Sequence, residues 1–242
     1  SNRAYKQRNM SHTIAIVEDD PHQRENYADA LSAQGYEVVE YSNKPTALEG
    51  FGRELPDLAI LDIMLEDEMD GGFDLCRELR HMSPQLPIIF LTARDSDIDR
   101  VSGLRLDAWD YITKPVNLQF LGVRVASLFR IASTLSHAVE DGPIALKLGD
   151  LELNEASLSV SWKDQPLNLT LTEFWVVESL AHNAGKVKSY EALMQVTKQS
   201  YVEKNTINGY IRRIRKKFKQ IDPEFEHIET VFGTGYRWHK DS

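Results

Sequence analysis

Residues 14–21 read Ile-Ala-Ile-Val-Glu-Asp-Asp-Pro: an apolar run rich in β-branched residues, three carboxylates, then a proline. The run Ile14–Val17 has the make-up of a strand buried on both faces. Asp20 stands where a helix N-cap is expected, Pro21 occupies the first helical position, and Gly35 follows Gln34 where a left-handed C-terminal residue is expected. The stretch is therefore a strand turning into a capped helix, with Glu18 and Asp19 in the turn. Further short apolar runs follow at Glu37–Tyr41, Leu58–Leu61, Ile88–Thr92 and Trp109–Thr113, separated by helical patterns. Five strand–helix units specify an α/β fold, a doubly wound parallel sheet covered by helices.

This pattern fades into small and polar residues from Ser133 and ends at Asp141-Gly142-Pro143. Residues 12–132 are accordingly read as one domain, 133–143 as a linker and 144–240 as a second domain. In the second domain, Leu146–Trp162 alternates as a small antiparallel sheet. Three helical patterns follow: one capped at Thr172 and running to Asn183, one over Ser189–Thr197, and one over about Asn205–Lys219. Ile228–Trp238 reads as a hairpin around Phe232-Gly-Thr-Gly235. There is no internal repeat.

The chain has 242 residues, 42% hydrophobic and 27% charged, with a formal net charge of −9. The lone Cys76 cannot form an internal disulfide, and no apolar run approaches the roughly 20 residues that cross a bilayer, so a reducing cytoplasm is expected. Ser1–Asn9 is polar, lacks the apolar core of a signal peptide, and precedes a Met at position 10 suited to be a start. Residues 1–140 hold 14 Lys/Arg against 23 Asp/Glu, a net of −9, whereas residues 141–242 hold 14 against 14. Yet Lys204–Lys219 carries seven cations and no acid. Any nucleic-acid binding must then be local to this segment. The seven His residues show no metal-ligand spacing, and Cys76 reads as a packed thiol.

In an open parallel sheet, ligands bind beyond the carboxyl ends of the strands. Collected there are Glu18 and Asp19 after the first strand, Asp62 at the third, Thr92 at the fourth, and Thr113-Lys114-Pro115 at the fifth. Three crowded carboxylates call for a hard cation, and oxygen-only ligation suits Mg²⁺. An Asp carboxylate can attack phosphorus to form an acyl phosphate, with Lys114 supplying positive charge and Thr92 a hydrogen bond to a phosphoryl oxygen.

At these residues the sequence resembles a two-component response regulator receiver domain. The matching motifs are Ile-Val-Glu18-Asp19-Asp20, Leu-Asp62-Ile-Met, Phe-Leu-Thr92-Ala and Asp-Tyr111-Ile-Thr-Lys114-Pro115. The resemblance implies strand order 2-1-3-4-5 and phosphorylation of Asp62 by a histidine kinase. It implies Mg²⁺ held by Asp19, Asp62 and the Met64 carbonyl, with Glu18 acting through water. Thr92 and Tyr111 would be a switch pair, Tyr111 reading equally well as a core aromatic, and Lys114 would precede a cis Pro115. The Asp62 loop departs from the pattern: Glu66-Asp-Glu68 precedes Met69-Asp-Gly-Gly72, one residue longer and more acidic. Its continuation also looks like a subgroup of regulators of proteobacterial sortase systems. The resemblance further implies a phosphorylation-favoured homodimer through the last helices and strand of this domain. Asp99, Asp110 and Arg124 match its charged residues, while Phe120 stands where the family has Glu.

In the third helical pattern of the second domain, Ile207, Tyr210, Ile211, Ile214, Phe218 and Ile221 form an apolar stripe. Lys204, Asn208, Arg212, Arg215 and Lys219 recur on another face, flanked by Arg213 and Lys216. Such a helix fits a major groove, where cations neutralise phosphates and Arg or Asn reaches base edges. This half resembles the winged-helix effector domain of the OmpR/PhoB family. The motifs are Leu169-Thr-Leu-Thr172-Glu173-Phe174, Asn205-Thr206-Ile207 leading to Tyr210-Ile-Arg212-Arg213-Ile-Arg215-Lys216-Lys217, and Thr230-Val-Phe-Gly233-Thr234-Gly235-Tyr236-Arg237. The implied DNA contacts are Lys204, Asn205, Thr206, Asn208, Tyr210, Arg212, Arg213, Arg215 and Lys216 on the helix and Thr230, Gly233, Thr234 and Tyr236 on the hairpin. Tyr210 reads equally as a core residue. The Gly233–Gly235 hairpin is expected to reach an adjacent minor groove, an expectation weakened because the family often has Arg where Phe232 stands, as it does at Asn205.

These readings converge on a cytoplasmic transcription regulator, α/β receiver first and α+β winged helix-turn-helix second. Its expected partners are a histidine kinase, double-stranded DNA, a second copy of itself and RNA polymerase, with no membrane. The rival readings are a phosphate-independent regulator governed by protein contacts, motivated by the acidic Glu66–Glu68 loop, and an aspartate-dependent phosphatase. The second rival lacks the acid expected two residues after its nucleophile, a position occupied by Met64.

Overall fold

The computed structural model describes residues 12–65, 71–104, 108–136, 146–155, 157–197 and 204–241. The chain divides into two compact units, the first ending at Phe129 and the second beginning at Arg130.

In the first unit, strands β1 (Thr13–Val17), β2 (Glu37–Tyr41), β3 (Leu58–Asp62), β4 (Ile88–Thr92) and β5 (Asp110–Thr113) alternate with helices α1 (Pro21–Ala33), α2 (Lys44–Arg53), α3 (Gly71–Met82), α4 (Asp95–Leu104) and α5 (Leu118–Ser136). The sheet order is β2-β1-β3-β4-β5 and each neighbouring pair is parallel. Residues 14–17, 58–61 and 88–91 are buried throughout, as strands covered on both faces must be. The edge strand β2 is only partly covered and leaves Val39 exposed. The expected signals at α1 are present. The Asp20 carboxylate accepts from the amides of His22 and Gln23, and Gly35 adopts φ +95°. Cys76 is buried within the core.

One boundary differs from expectation. Helix α5 continues through Ser136, past the point where the linker is placed. Its last turn is small and polar but contains no helix breaker, and Gly142-Pro143 comes only later. The remainder of the expected linker, 137–143, lies outside the described residues.

In the second unit, β6 (Leu146–Leu148), β7 (Leu151–Asn154), β8 (Ser159–Trp162) and β9 (Gln165–Leu167) form an antiparallel four-stranded sheet. Then come α6 (Leu171–His182), β10 (Lys188–Ser189), α7 (Tyr190–Thr197), α8 (Lys204–Ile221), β11 (Ile228–Val231) and β12 (Gly235–Trp238). The last two strands form the expected hairpin, joined by β10 on the β12 side. The core gathers the buried stripe of α8 with Trp162, Phe174, Phe225 and Trp238. The Trp162 ring lies edge-on to Phe218, Phe225 and Trp238, and its indole N–H donates to Asp222.

Helix α6 is capped two residues earlier than expected. Thr170, not Thr172, is the N-cap: the Glu173 amide donates to its hydroxyl, and the Glu173 carboxylate accepts from the Thr170 amide. This reciprocal Thr-x-x-Glu box leaves Thr172 buried inside the first turn. Thr170→Ala is expected to cost about 1 kcal/mol, read as a lower urea midpoint by tryptophan fluorescence with an unchanged slope. An unchanged midpoint would mean that the grip of Lys217 on Glu173 is enough to start the helix.

Candidate functional site

Because all five strands of the first sheet are parallel, their carboxyl ends share one edge, and residues far apart in sequence meet there. Glu18 follows β1, Asp62 ends β3, Thr92 ends β4 and Lys114 follows β5. Carboxylate oxygens of Glu18, Asp19 and Asp62 all lie within 4.8 Å of one another. The Lys114 ammonium lies 2.5 Å from Asp62 Oδ2 and 3.1 Å from Glu18 Oε2. The Lys114–Pro115 peptide bond is cis, as the receiver resemblance implies. These groups line a cleft of about 470 Å³, together with Gln23, Met64, Arg94, Asp97 and Arg100.

The side chains are held by specific bonds. The Asp62 carboxylate accepts from the Met64 amide at 3.0 Å. The Arg24 guanidinium donates to the Glu18 carbonyl at 2.7 Å, fixing the turn after β1. At Gly72 a Cβ would stand 2.1 Å from the Asp62 carbonyl oxygen, so only glycine lets α3 start against the end of β3. Thr92 is buried, and its hydroxyl lies within hydrogen-bond reach of the Arg94 carbonyl and the Asp97 carboxylate. Tyr111 is buried in the core against Phe90.

Sequence reading missed Arg24, Gly72, Asp97 and Arg100 at this site. The Gly71-Gly72 pair at a helix start was the available signal for one of them. The others sit in helices, and nothing in their spacing points to the strand ends.

Electrostatically the cleft is short of positive charge. Burial pushes the Glu18 carboxyl up to about 8; its hydrogen bond with Asp62 and the Asp62 charge add to the rise, and Lys114 only partly opposes it. Burial works against the Lys114 ammonium, but its bonds to Asp62 and the charges of Asp62 and Glu18 outweigh that and raise its pKa. A set of three carboxylates, one of them driven to hold a proton, suits a hard divalent cation such as Mg²⁺.

The raised Glu18 value has a consequence for stability. In metal-free solution the folded protein keeps this proton up to about pH 8, whereas the unfolded chain releases it near 4.5. The folded state binds more protons in that window, so this group's contribution to stability falls as pH rises through it. Urea midpoints measured with chelator at several pH values between about 5 and 8 are expected to fall less steeply in Glu18→Gln than in the parent. Parallel profiles would refute the shift.

The residues expected on a dimer face are split by the structure. Asp110 and Arg124 are both buried and form an ion pair with each other, because Arg124 lies on the inward face of α5 beside Leu121, Val125 and Leu128. Their expected place on the dimer face is corrected accordingly. Asp99 and Phe120 are half-buried.

Helix α8 is amphipathic as expected, but its polar residues divide into two groups. Lys204, Asn205, Arg212, Lys216 and Lys219 are exposed. Thr206, Tyr210 and Arg213 are buried, as is Tyr236 on the hairpin. Tyr210 is thus a core residue, and the Arg213 guanidinium lies 4.9 Å from its ring centre. The expectation that these four meet DNA directly is corrected, since the packing of the unit buries their side chains. Two further residues fasten the hairpin to α8. Arg215 donates to the Ile228 carbonyl and the Thr230 hydroxyl, and Asn208 accepts from the hydroxyls of Tyr190 and Tyr236. Lys217 is held by Glu173. On the hairpin, Thr230, Gly233 and Thr234 are exposed.

Among the described residues no helix is long and apolar enough to cross a membrane. Two family models match the chain: the response regulator receiver domain over residues 14–126 and the transcriptional regulatory protein C-terminal domain over residues 164–238. The transcriptional regulatory protein CreB of Escherichia coli K12 is 33% identical over 226 residues, which cover 93% of this chain and 96% of CreB. The transcriptional regulatory protein BaeR of Escherichia coli O6:H1 is 34% identical over 234 residues, 95% of this chain and 93% of BaeR. The solved structure of a RitR mutant is alike in fold, with a TM-score of 0.55 over 96% of this chain and all of that one, at 23% identity. Both family models and the two regulators, each aligned over more than nine-tenths of the chain, fit the acidic cleft and the second unit described above: the chain belongs to the OmpR/PhoB family of two-component response regulators.

Proposed function

We propose that this regulator is switched by phosphorylation of Asp62 and that the phosphorylated form binds DNA as a homodimer. The observation that carries the reading is the approach of Lys114 to both Asp62 and Glu18 beside Asp19, inside an open cleft. A nucleophilic carboxylate there lines the cleft, oriented by the Met64 amide and next to a fixed cation. An Asp62 oxygen attacks phosphorus, the bond from phosphorus to the histidine nitrogen of a kinase breaks, and the imidazole takes up a proton as it leaves. Lys114 stabilises charge on the transferred group, and the Thr92 hydroxyl turns to donate to a phosphoryl oxygen. Asp19, Asp62 and the Met64 carbonyl would hold Mg²⁺, with Glu18 acting through water. The bound ion would supply positive charge to the phosphoryl oxygens.

Thr92 and Tyr111 are the proposed switch pair, Tyr111 acting from its packed position on Phe90. The dimer face retains Asp99 and Phe120, an aromatic contact standing in for an ion pair worth about 0 to 1 kcal/mol when exposed. On the second unit, Lys204, Asn205, Arg212 and Lys216 form the DNA-facing surface, with Thr230, Gly233 and Thr234 beside it. The partners are a histidine kinase, double-stranded DNA and RNA polymerase, the location is the cytoplasm, and the protein's role is regulatory and not enzymatic. Domain limits of 12–132 and 144–240 remain the proposed functional division. Glu66–Glu68, on which the phosphate-independent reading rests, and the first part of the stretch 68–73 that carries the sortase-system likeness lie outside the described residues.

Intact mass after incubation with Mg²⁺ and acetyl phosphate tests the switch. The parent is expected to gain one phosphoryl group and Asp62→Asn none. No gain under conditions that label a control receiver would replace this reading with a phosphate-independent regulator.

A further inference from the structure

At the tip of the β11–β12 hairpin, Phe232 is 92% exposed, far beyond any other large hydrophobic side chain among the described residues. The turn beneath it is well formed: the Thr234 amide donates to the Val231 carbonyl, and Gly233 takes φ +75°. The ring is therefore presented by the fold, and residues 230–236 contain no charged side chain.

The tip is also fastened to the cationic helix. Arg215 on α8 donates to Ile228 and Thr230, and Tyr236 donates to Asn208 at 2.5 Å. Behind the tip, β10 pairs with β12, and Gly235 passes so close to the Lys188 carbonyl that a Cβ there would stand 1.9 Å from it. Because the hairpin is fastened to the helix, a duplex whose major groove took the exposed Lys204, Arg212 and Lys216 would offer its neighbouring minor groove to this tip. A protein partner for Phe232 would have to meet the same cationic flank, which an apolar protein surface does not offset.

We propose that Phe232 is an apolar wedge for the minor groove. It packs on sugar edges and partly unstacks one base step, so that the hairpin selects DNA by deformability and contributes nothing to phosphate neutralisation. The consequence is a preference for flexible pyrimidine–purine steps at that position. The inference rests on the DNA-binding reading of α8 given above.

The test uses the full-length protein with Mg²⁺ and acetyl phosphate and a duplex selected by it from a random pool of about 30 base pairs, a length that spans a dimer's two half-sites. Phe232→Ala is expected to weaken binding about tenfold, to reduce DNA bending measured by end-to-end energy transfer, and to leave the dependence of log K on log salt unchanged. Phe232→Leu is expected to keep most of the affinity. Arg212→Ala is expected to lower the salt slope by about 1. Unaltered affinity and bending in Phe232→Ala, with the Arg212→Ala effect present, would overturn the wedge and leave the helix reading standing. An equal loss in the Leu and Ala variants would also overturn it, pointing to a stacking contact specific to the ring. Arg212→Ala without effect, or no duplex selected, would remove the DNA-binding reading itself and the wedge with it.

Discussion

One cation within reach of two buried carboxylates sets the terms for the first unit. Lys114 must be close enough to Asp62 and Glu18 to make their burial tolerable, yet it cannot neutralise both, and Glu18 responds by holding its proton. The sheet registers bring this about. β1, β3 and β5 must run parallel for Glu18, Asp62 and Lys114 to reach one edge, and α3 must begin against Asp62, which the missing Cβ of Gly72 permits. The fold leaves negative charge in this cleft under-compensated, a deficit of the kind that a hard divalent cation offsets.

The second unit uses its charges differently. Seven cations on one short segment suggest a broad electropositive surface, but burial and pairing sort them. Arg213 lies over Tyr210, Lys217 is held by Glu173, and Arg215 fastens the hairpin. What faces outward is a narrower set centred on Lys204, Arg212 and Lys216, with Lys219 further along. Part of the helix's basic character therefore rigidifies the relation between helix and hairpin. A fixed relation between helix and hairpin lowers the entropy that a partner engaging both would have to overcome.

The same sorting appears at α5. Arg124 has the chemistry of an exposed dimer charge, and Asp110 that of its partner across a two-fold axis. Inside one protomer they satisfy each other instead. A buried pair of this kind strongly resists losing one member, because the remaining charge would be left uncompensated. An interface on this face would draw on half-buried groups such as Phe120.

How far the sequence alone reached follows from what each signal depends on. Local chemistry determined the five-strand alternation, the Asp20 cap with Pro21, the left-handed Gly35, the hairpin around Gly233, and the set Glu18, Asp19, Asp62, Thr92 and Lys114, because strand ends, caps and turns are encoded by neighbours in the chain. Even there the α6 cap was misplaced by two residues, since Thr170 and Thr172 are chemically equal and only Glu173 reaching back chose between them. Tertiary structure decided the rest. Whether Tyr210, Arg213 or Arg124 faces solvent depends on what packs against the helix, and a helical period marks a face without saying which polar residues its neighbours will cover. The charge state of Glu18 likewise depends on groups 44 and 96 residues away, and only folding brings Asp62 and Lys114 to it.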